Sequence, residues 1–182
     1  MLFRSSPIWI EPLLVANVGY DPVRDFAPVT LAVSSPNILV IHPSIPAKSV
    51  KDLIAFARTR PGQLNYGSGA SGGSPHLSAE LFNAMARIRT SQVAYRGVGP
   101  ALTALIAGEV ELMFPSAGAA APYMKMGRLR ALAVTSAKPT ELAPGLPTIA
   151  ASGLPGYESV SIFGVFAPAR TPSSLVMRLN QE

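Results

Sequence analysis

The chain has 182 residues, 48% of them hydrophobic and 14% charged, with a formal net charge of +5. A chain of this length and polarity suits one or two small domains with a real core, and its low charge content excludes an intrinsically disordered chain. The absence of cysteine excludes disulfides, zinc-thiolate sites and thiol catalysis. The bases Arg58, Arg60, Arg87, Arg89, Arg96, Lys125, Arg128 and Arg130 are scattered without interleaved aromatics, which argues against a nucleic-acid groove and for a mild field that favours small anions.

Residues 1–25 show little periodicity and predict an irregular or partly helical lead-in. Met1 to Ile10 carries one arginine and a short apolar patch broken by Pro7, so no signal peptide is expected in this chain. No apolar run approaches the ~20 residues of a membrane span. Val29 to Ile41 predicts two extended pieces joined at Ser34-Ser35-Pro36-Asn37, the second of them a buried strand. Ser49-Val50-Lys51-Asp52 has the form of a capping box with Asp in the Glu/Gln position. It opens a helix to about Thr59 whose inward stripe is Val50, Leu53, Ile54 and Ala57, and Pro61-Gly62 ends it.

A short strand, Leu64 to Tyr66, then runs into the Gly/Ser loop of Asn65 to His76. Small hydroxyl residues followed by Pro75 signal a helix start, so the loop aims backbone N–H groups and the positive end of a helix dipole at one point. That arrangement suits a carboxylate or phosphate. Three motif readings overlap on it. Gly69 to Gly73 fits G-x-S-x-G, but His42 lies upstream and His76 only five residues on, so Ser71 lacks the partners of a nucleophile. Gly67 to Gly72 has P-loop spacing, but Gly73 stands where the lysine should be. The same residues fit G-x-G-x-x-G in a βαβ context, with Gln92 to Tyr95 as the next strand. No acid is placed for a ribose hydroxyl, and Arg96 is available to face a 2′-phosphate, so an NADP-binding oxidoreductase is the alternative reading. A glycine-rich turn that binds nothing is the plainer one.

The next helix, Pro75 to Ala86, is expected to bury Leu77, Leu81 and Met85. Another runs from Gly99-Pro100 to Gly108 with Leu102, Leu105 and Ile106 inward. Glu109 to Phe114 and Leu129 to Thr135 predict strands, with a short helix from about Ala119 to Met126 between them. Alternating strands and helices predict a mostly parallel sheet with helices on both faces. Ligands sit at the C-terminal ends of strands in such sheets, so the loops at 67–76, 95–99 and 114–118 are expected to gather on one edge. With two histidines and few clustered carboxylates, neither a metal nor a cofactor is expected.

Asp21-Pro22-Val23-Arg24-Asp25-Phe26-Ala27-Pro28-Val29 resembles a segment characteristic of the Bug/TctC family, the extracytoplasmic solute-binding proteins of tripartite tricarboxylate transporters. Further matches are Lys48 to Leu53, the Asn65 to His76 loop, Ala94-Tyr95-Arg96-Gly97 before Gly99 to Leu102, and Leu129 to Ser136. Leu146 to Ile149, Gly153 to Tyr157 and Gly164 to Pro168 also fit, so the likeness runs in order over roughly residues 20–180.

The resemblance implies an α/β fold of periplasmic-binding-protein type II, with one lobe and part of a second. Residues 1–43 would be a partial first lobe and hinge strand, 44–143 a complete ligand-binding lobe, and 144–182 the return hinge and the rest of the partial first lobe. Relative to the family, a secretory signal, a first βαβ unit with a Pro-Gly-Gly loop and the closing C-terminal helices are not seen, so the chain reads as truncated at both ends. The family's tyrosine-lysine-glycine wall reads Tyr95-Arg96-Gly97 here, and its acid before Gly153 is Ser152.

What the resemblance implies for function is non-enzymatic capture of a small carboxylate or amino acid in the periplasm, for delivery to the membrane subunits of the transporter. Carried over by position, Ser68, Gly69, Ser71, Gly72, Gly73 and Ser74 would hold the carboxylate, with His76 nearby. Tyr95, Arg96 and Gly97 would form a second wall and Ser116 a third. A third reading is a fragment without ligand affinity that persists as a homodimer over an exposed core edge.

Overall fold

The structure is a computed structural model and describes residues 2–5, 7–69 and 71–182. The chain divides into two compact units, Met1–Ser34 with Ser161–Glu182, and Ser35–Val160. It passes from one to the other within strand β2 (Phe26–Pro36) and within strand β8 (Val160–Pro168).

The smaller unit contains β1 (Leu2–Ser5), α1 (Pro7–Leu14), α6 (Ser173–Gln181) and a three-stranded sheet in the order β1-β8-β2. β1 runs antiparallel to β8, from Leu2 opposite Phe166 to Ser5 opposite Phe163. The lead-in is therefore a strand and a helix. Local periodicity does not show the strand, because its partner lies some 160 residues away in sequence. Trp9 and Phe26 meet the Phe166 ring edge-on, at 5.6 and 6.5 Å between centroids. Asn180 Nδ2 donates to the Val29 carbonyl at 2.6 Å and ties α6 to β2. The segment that carries the resemblance is an Asx turn: Asp21 Oδ1 accepts from the N–H groups of Val23 and Arg24 at 2.8 and 2.9 Å. Asp25 then accepts from the Asp21 N–H and from the Arg24 guanidinium, each at 2.8 Å.

The larger unit holds β3 (Ile38–Ile41), α2 (Val50–Arg58), β4 (Leu64–Ser68), α3 (Ser74–Ala86), β5 (Thr90–Ala94), α4 (Val98–Ala107), β6 (Leu112–Met113), α5 (Ala117–Lys125) and β7 (Arg130–Val134). Its sheet has the order β5-β4-β6-β3-β7. β4 is parallel to both β5 and β6, and β3 is antiparallel to both β6 and β7. The sheet is mixed: β4, β5, β6 and β7 share one sense and β3 alone is reversed.

β3 is buried on both faces, as its continuous apolar run requires. Its period-2 alternation divides the core. Leu39 and Ile41 join the layer of α2 and α3, and Ile38 and Val40 join the layer of α4 and α5. The capping signal at Ser49 forms as expected: Ser49 Oγ accepts from the Asp52 N–H at 3.1 Å, and Asp52 accepts from Lys48 N–H at 3.0 Å. Val50, Leu53, Ile54 and Ala57 are the buried stripe of α2.

Three local expectations shift. β2 continues through Ser34 and Ser35 to Pro36, and the ladder of β6 is confined to Leu112 and Met113. The buried residues of α3 are Ser78, Ala79, Phe82, Asn83 and Ala86, one position round from the Leu77, Leu81 and Met85 stripe. Leu81 and Met85 lie at the margin of that core. Phe82 turns inward because it fills the space between Phe114 and Tyr157, at 5.7 and 6.3 Å between ring centroids. The two polar residues go in with it because both find partners. Asn83 Oδ1 accepts from Thr90 Oγ1 at 2.9 Å, and Ser78 is bonded to Asn37 at 3.1 Å.

Candidate functional site

Parallel pairing puts the C-terminal ends of β4, β5 and β6 on one edge of the sheet, each followed by a short loop and a helix. Backbone bonds join the loops. The Tyr95 N–H donates to the Ser68 carbonyl at 2.8 Å, and the Gly97 N–H to the Gly69 carbonyl at 3.0 Å. Ser116 bridges to Asn37, whose amide nitrogen donates to Ser74 Oγ at 2.8 Å. The loops after β4 and β5 are thus bonded directly, and the loop after β6 is linked to the start of α3 through Asn37, with α3 on one face of the sheet and α4 and α5 on the other.

Those starts share a property that α2 lacks. α3, α4 and α5 begin at Gly73, Gly97 and Ser116, none of which makes a side-chain capping bond. None of the three helices has an acid in its first turn, whereas α2 is capped by Ser49 and carries Asp52 there. The first N–H groups of a helix have no intrahelical partner, and the dipole makes that end positive. Three such ends on one sheet edge, without a carboxylate among their first turns, form a region suited to an anion.

The individual residues of the Gly/Ser loop have distinct roles. Ser68, at the end of β4, is fully buried, and its hydroxyl accepts from Gln92 Nε2 at 2.8 Å. Gly69 lies against the next loop so closely that a Cβ there would be 2.9 Å from both Gly97 C and Val98 N. Gly67 is packed too, with a Cβ position 3.3 Å from Val110 Cγ2. Packing thus requires one of the glycines that spell G-x-G-x-x-G, Gly69, and leaves little room at a second, Gly67, whatever the loop binds. Ser71 is exposed, and its Oγ is 3.5 Å from Gln92 Nε2. Gly72 has φ +78, a conformation that favours glycine, and its N–H donates to His76 Nδ1 at 3.0 Å.

In that bond Nδ1 is the acceptor, so the neutral ring carries its hydrogen on Nε2. The ring stacks on Tyr66 at 6.3 Å, and the Tyr66 hydroxyl donates to Glu80. Burial pushes the Tyr66 phenol well above its ordinary range, and the Glu80 carboxylate adds to the shift. His76 therefore shapes the loop through Gly72.

On the second wall, the Tyr95 side chain packs against the layer of α4 and α5. Its phenol is raised by desolvation first and by Glu109 second. Tyr95 reaches the loops through its backbone. Arg96 is exposed, and Gly97 starts α4 at φ +110. Asn37, Gln92 and Ser78 are contributors that motif reading passed over. Asn37 gave a signal of sorts, a polar residue between two apolar stretches, but Ser78 gave none. Among the described residues, no group of three or more His, Asp or Glu is placed to hold a metal, and no helix is long and apolar enough to cross a membrane.

Comparison with known proteins agrees with this architecture. The model of a family described as tripartite tricarboxylate transporter family receptor matches residues 1–182. A protein of the tcbD-tcbE intergenic region of Pseudomonas sp. strain P51 is 39% identical over 183 aligned residues, covering 100% of this chain and 54% of that protein. Among solved structures, R. palustris Rpa4515 with adipate is 42% identical with a TM-score of 0.91, over 98% of this chain and 60% of that one. MatC from Rhodopseudomonas palustris with bound malate is 27% identical with a TM-score of 0.84, over 97% and 59%. The chain thus spans about half the length of the curated relative and 60% of the first of these structures.

Proposed function

Because the chain belongs to the tripartite tricarboxylate transporter receptor family, we propose that it captures a small carboxylated solute in the periplasm for the membrane subunits of such a transporter. The observation that carries this reading is that three helix starts on one edge of the sheet, at Gly73, Gly97 and Ser116, lack both side-chain caps and acids in the first turn. Two similar proteins, one with adipate and one with malate, support a dicarboxylate as the solute class.

In this reading the Ser68 to Ser74 loop holds one carboxylate by backbone N–H groups and hydroxyls. Tyr95, Arg96 and Gly97 line a second side and Ser116 a third, with His76 keeping the loop in shape. Residues 44–143 act as the ligand-binding lobe, with 1–43 and 144–182 as hinge segments and part of the other lobe, and binding is completed by closure. In this reading the fold acts by binding, in keeping with the receptor family whose model matches the chain.

Isothermal titration of the chain with adipate, malate, succinate, citrate and aspartate tests this, with NADPH alongside. Saturable heat with a dicarboxylate and none with NADPH is the expected result. Heat with NADPH alone would overturn it in favour of a dinucleotide site.

A further inference from the structure

A serine in the second turn of a helix, packed inside a protein, needs partners for its hydroxyl. Ser78 is fully buried and has them on several sides. Asn37 Nδ2 donates to its Oγ at 3.1 Å, Ser159 Oγ lies 2.8 Å from the same atom, and the Tyr157 hydroxyl donates to its carbonyl at 2.9 Å. Asn37 is itself 1% exposed and also donates to Ser74 Oγ at the start of α3. The Asn37 N–H donates to Thr135 Oγ1 at 2.8 Å, and the Ser159 N–H to the Thr135 carbonyl at 2.9 Å. The network is closed: α3 and the end of β7 are each bonded to both Asn37 and Ser159.

The positions of those two residues in the chain give the network its meaning. Asn37 directly follows β2 and Ser159 directly precedes β8, the two strands in which the chain passes between its compact units. Both exits from the larger unit are therefore bonded to one serine on the helix whose N-terminus faces the candidate solute site. We infer that Ser78 is a positioning residue that couples this helix start to both exits, so that occupancy of the site is felt at Asn37 and Ser159. The ligand in this inference rests on the solute-binding reading above, whereas the coupling rests on the hydrogen bonds alone. An anion drawn to the start of α3 moves or stiffens the helix. Asn37 and Ser159 must follow, because staying behind would leave buried polar groups unpaired.

Hydrogen exchange of individual backbone amides in the ligand-free chain provides the test. Ser78→Ala should speed exchange at Asn37 and Ser159 about tenfold, the local-opening response of a broken network, and leave Asn65 in β4 and Tyr95 just after β5 unchanged. Ser159→Ala is the second variant, since it changes no residue of α3 yet should also speed exchange at Asn37. Ser78→Thr, which keeps the hydroxyl, should restore slow exchange at both exits. Uniform acceleration across the sheet in Ser78→Ala, or an unchanged Asn37 in Ser159→Ala, would overturn the coupling. With adipate added, wild type should slow further at both exits and Ser78→Ala should not; equal slowing in both would also overturn it. If adipate gives no titration heat with wild type, the solute reading fails on its own, and the ligand-free exchange still decides the network.

Discussion

Gly69 and Gly97 lie in backbone contact: the Gly97 N–H donates to the Gly69 carbonyl at 3.0 Å, and a Cβ on Gly69 would come within 2.9 Å of Gly97 C. This contact fastens the loop after β4 to the loop after β5. Gly97 C and Val98 N, both 2.9 Å from that Cβ position, are backbone atoms and cannot retreat as a flexible side chain could.

Gly69→Ala should therefore push the loops apart. Overpacking against backbone costs about 1–3 kcal/mol, visible as a lower urea midpoint, and dicarboxylate heat should be lost at conditions where the variant remains folded. A variant with wild-type affinity would show that the Gly69–Gly97 contact has no part in the site.

Arg96 makes a graded case. It is exposed at the rim, where salt screens a charge and an ion pair contributes about 0.2–1 kcal/mol. Arg96→Gln should weaken dicarboxylate binding by no more than about fivefold at physiological salt, by conversion of that range. The effect should grow at low salt, and titrations at two ionic strengths check it. A loss of a hundredfold would make Arg96 a direct, desolvated partner of the solute.

Arg87 ends α3 in the left-handed region, at φ +51 and ψ 50, without being glycine. Glycine is the residue that such a helix end favours. Arg87→Gly should raise stability by up to about 1 kcal/mol, read as a higher urea midpoint, with the binding heat unchanged because the residue lies at the opposite end of α3 from the site.

Acid should weaken the fold through the aspartate turn. The Arg24 guanidinium, followed by the Asp21 N–H, holds the Asp25 carboxyl down at about 2 against an ordinary 3.8. A carboxyl lowered on folding contributes stability that is present above its unfolded pKa and is lost as pH falls through its folded one. Asp21 and Asp52 are lowered in the same direction, chiefly by the N–H groups of Arg24 and Lys48 respectively. The urea midpoint should fall between pH 4 and pH 2, and Asp25→Asn should flatten part of that slope.

Much of the larger unit was legible from local pattern, because its helices and strands rest on near-neighbour signals. The Ser49 cap, the α2 stripe, the Gly108 helix end and the Ile38 to Ile41 strand all depend on residues a few positions apart, and all appear where the pattern puts them. The helix start that follows the Gly/Ser loop was legible for the same reason. Glycines and a first-turn proline define a helix start before any tertiary contact forms.

What the pattern could not supply is anything set by a partner far along the chain. β1 exists because it pairs with β8, and β3 runs antiparallel to both of its neighbours, β6 and β7, which come 70 and more residues later in the chain. The rotation of α3 was decided by which polar residues could be bonded once buried. Ser78 goes inward because Asn37, 41 residues before it, and Ser159, 81 residues after it, are there to meet its hydroxyl. The sequence by itself determined that an uncapped, glycine-rich helix start would exist here, since its backbone geometry is local. The alternation of strands and helices also placed the loops at 67–76, 95–99 and 114–118 on one edge. Only the tertiary structure decided which residues join them, because the bonds from Tyr95 to Ser68, Gly97 to Gly69 and Asn37 to Ser74 run between segments that no local signal pairs.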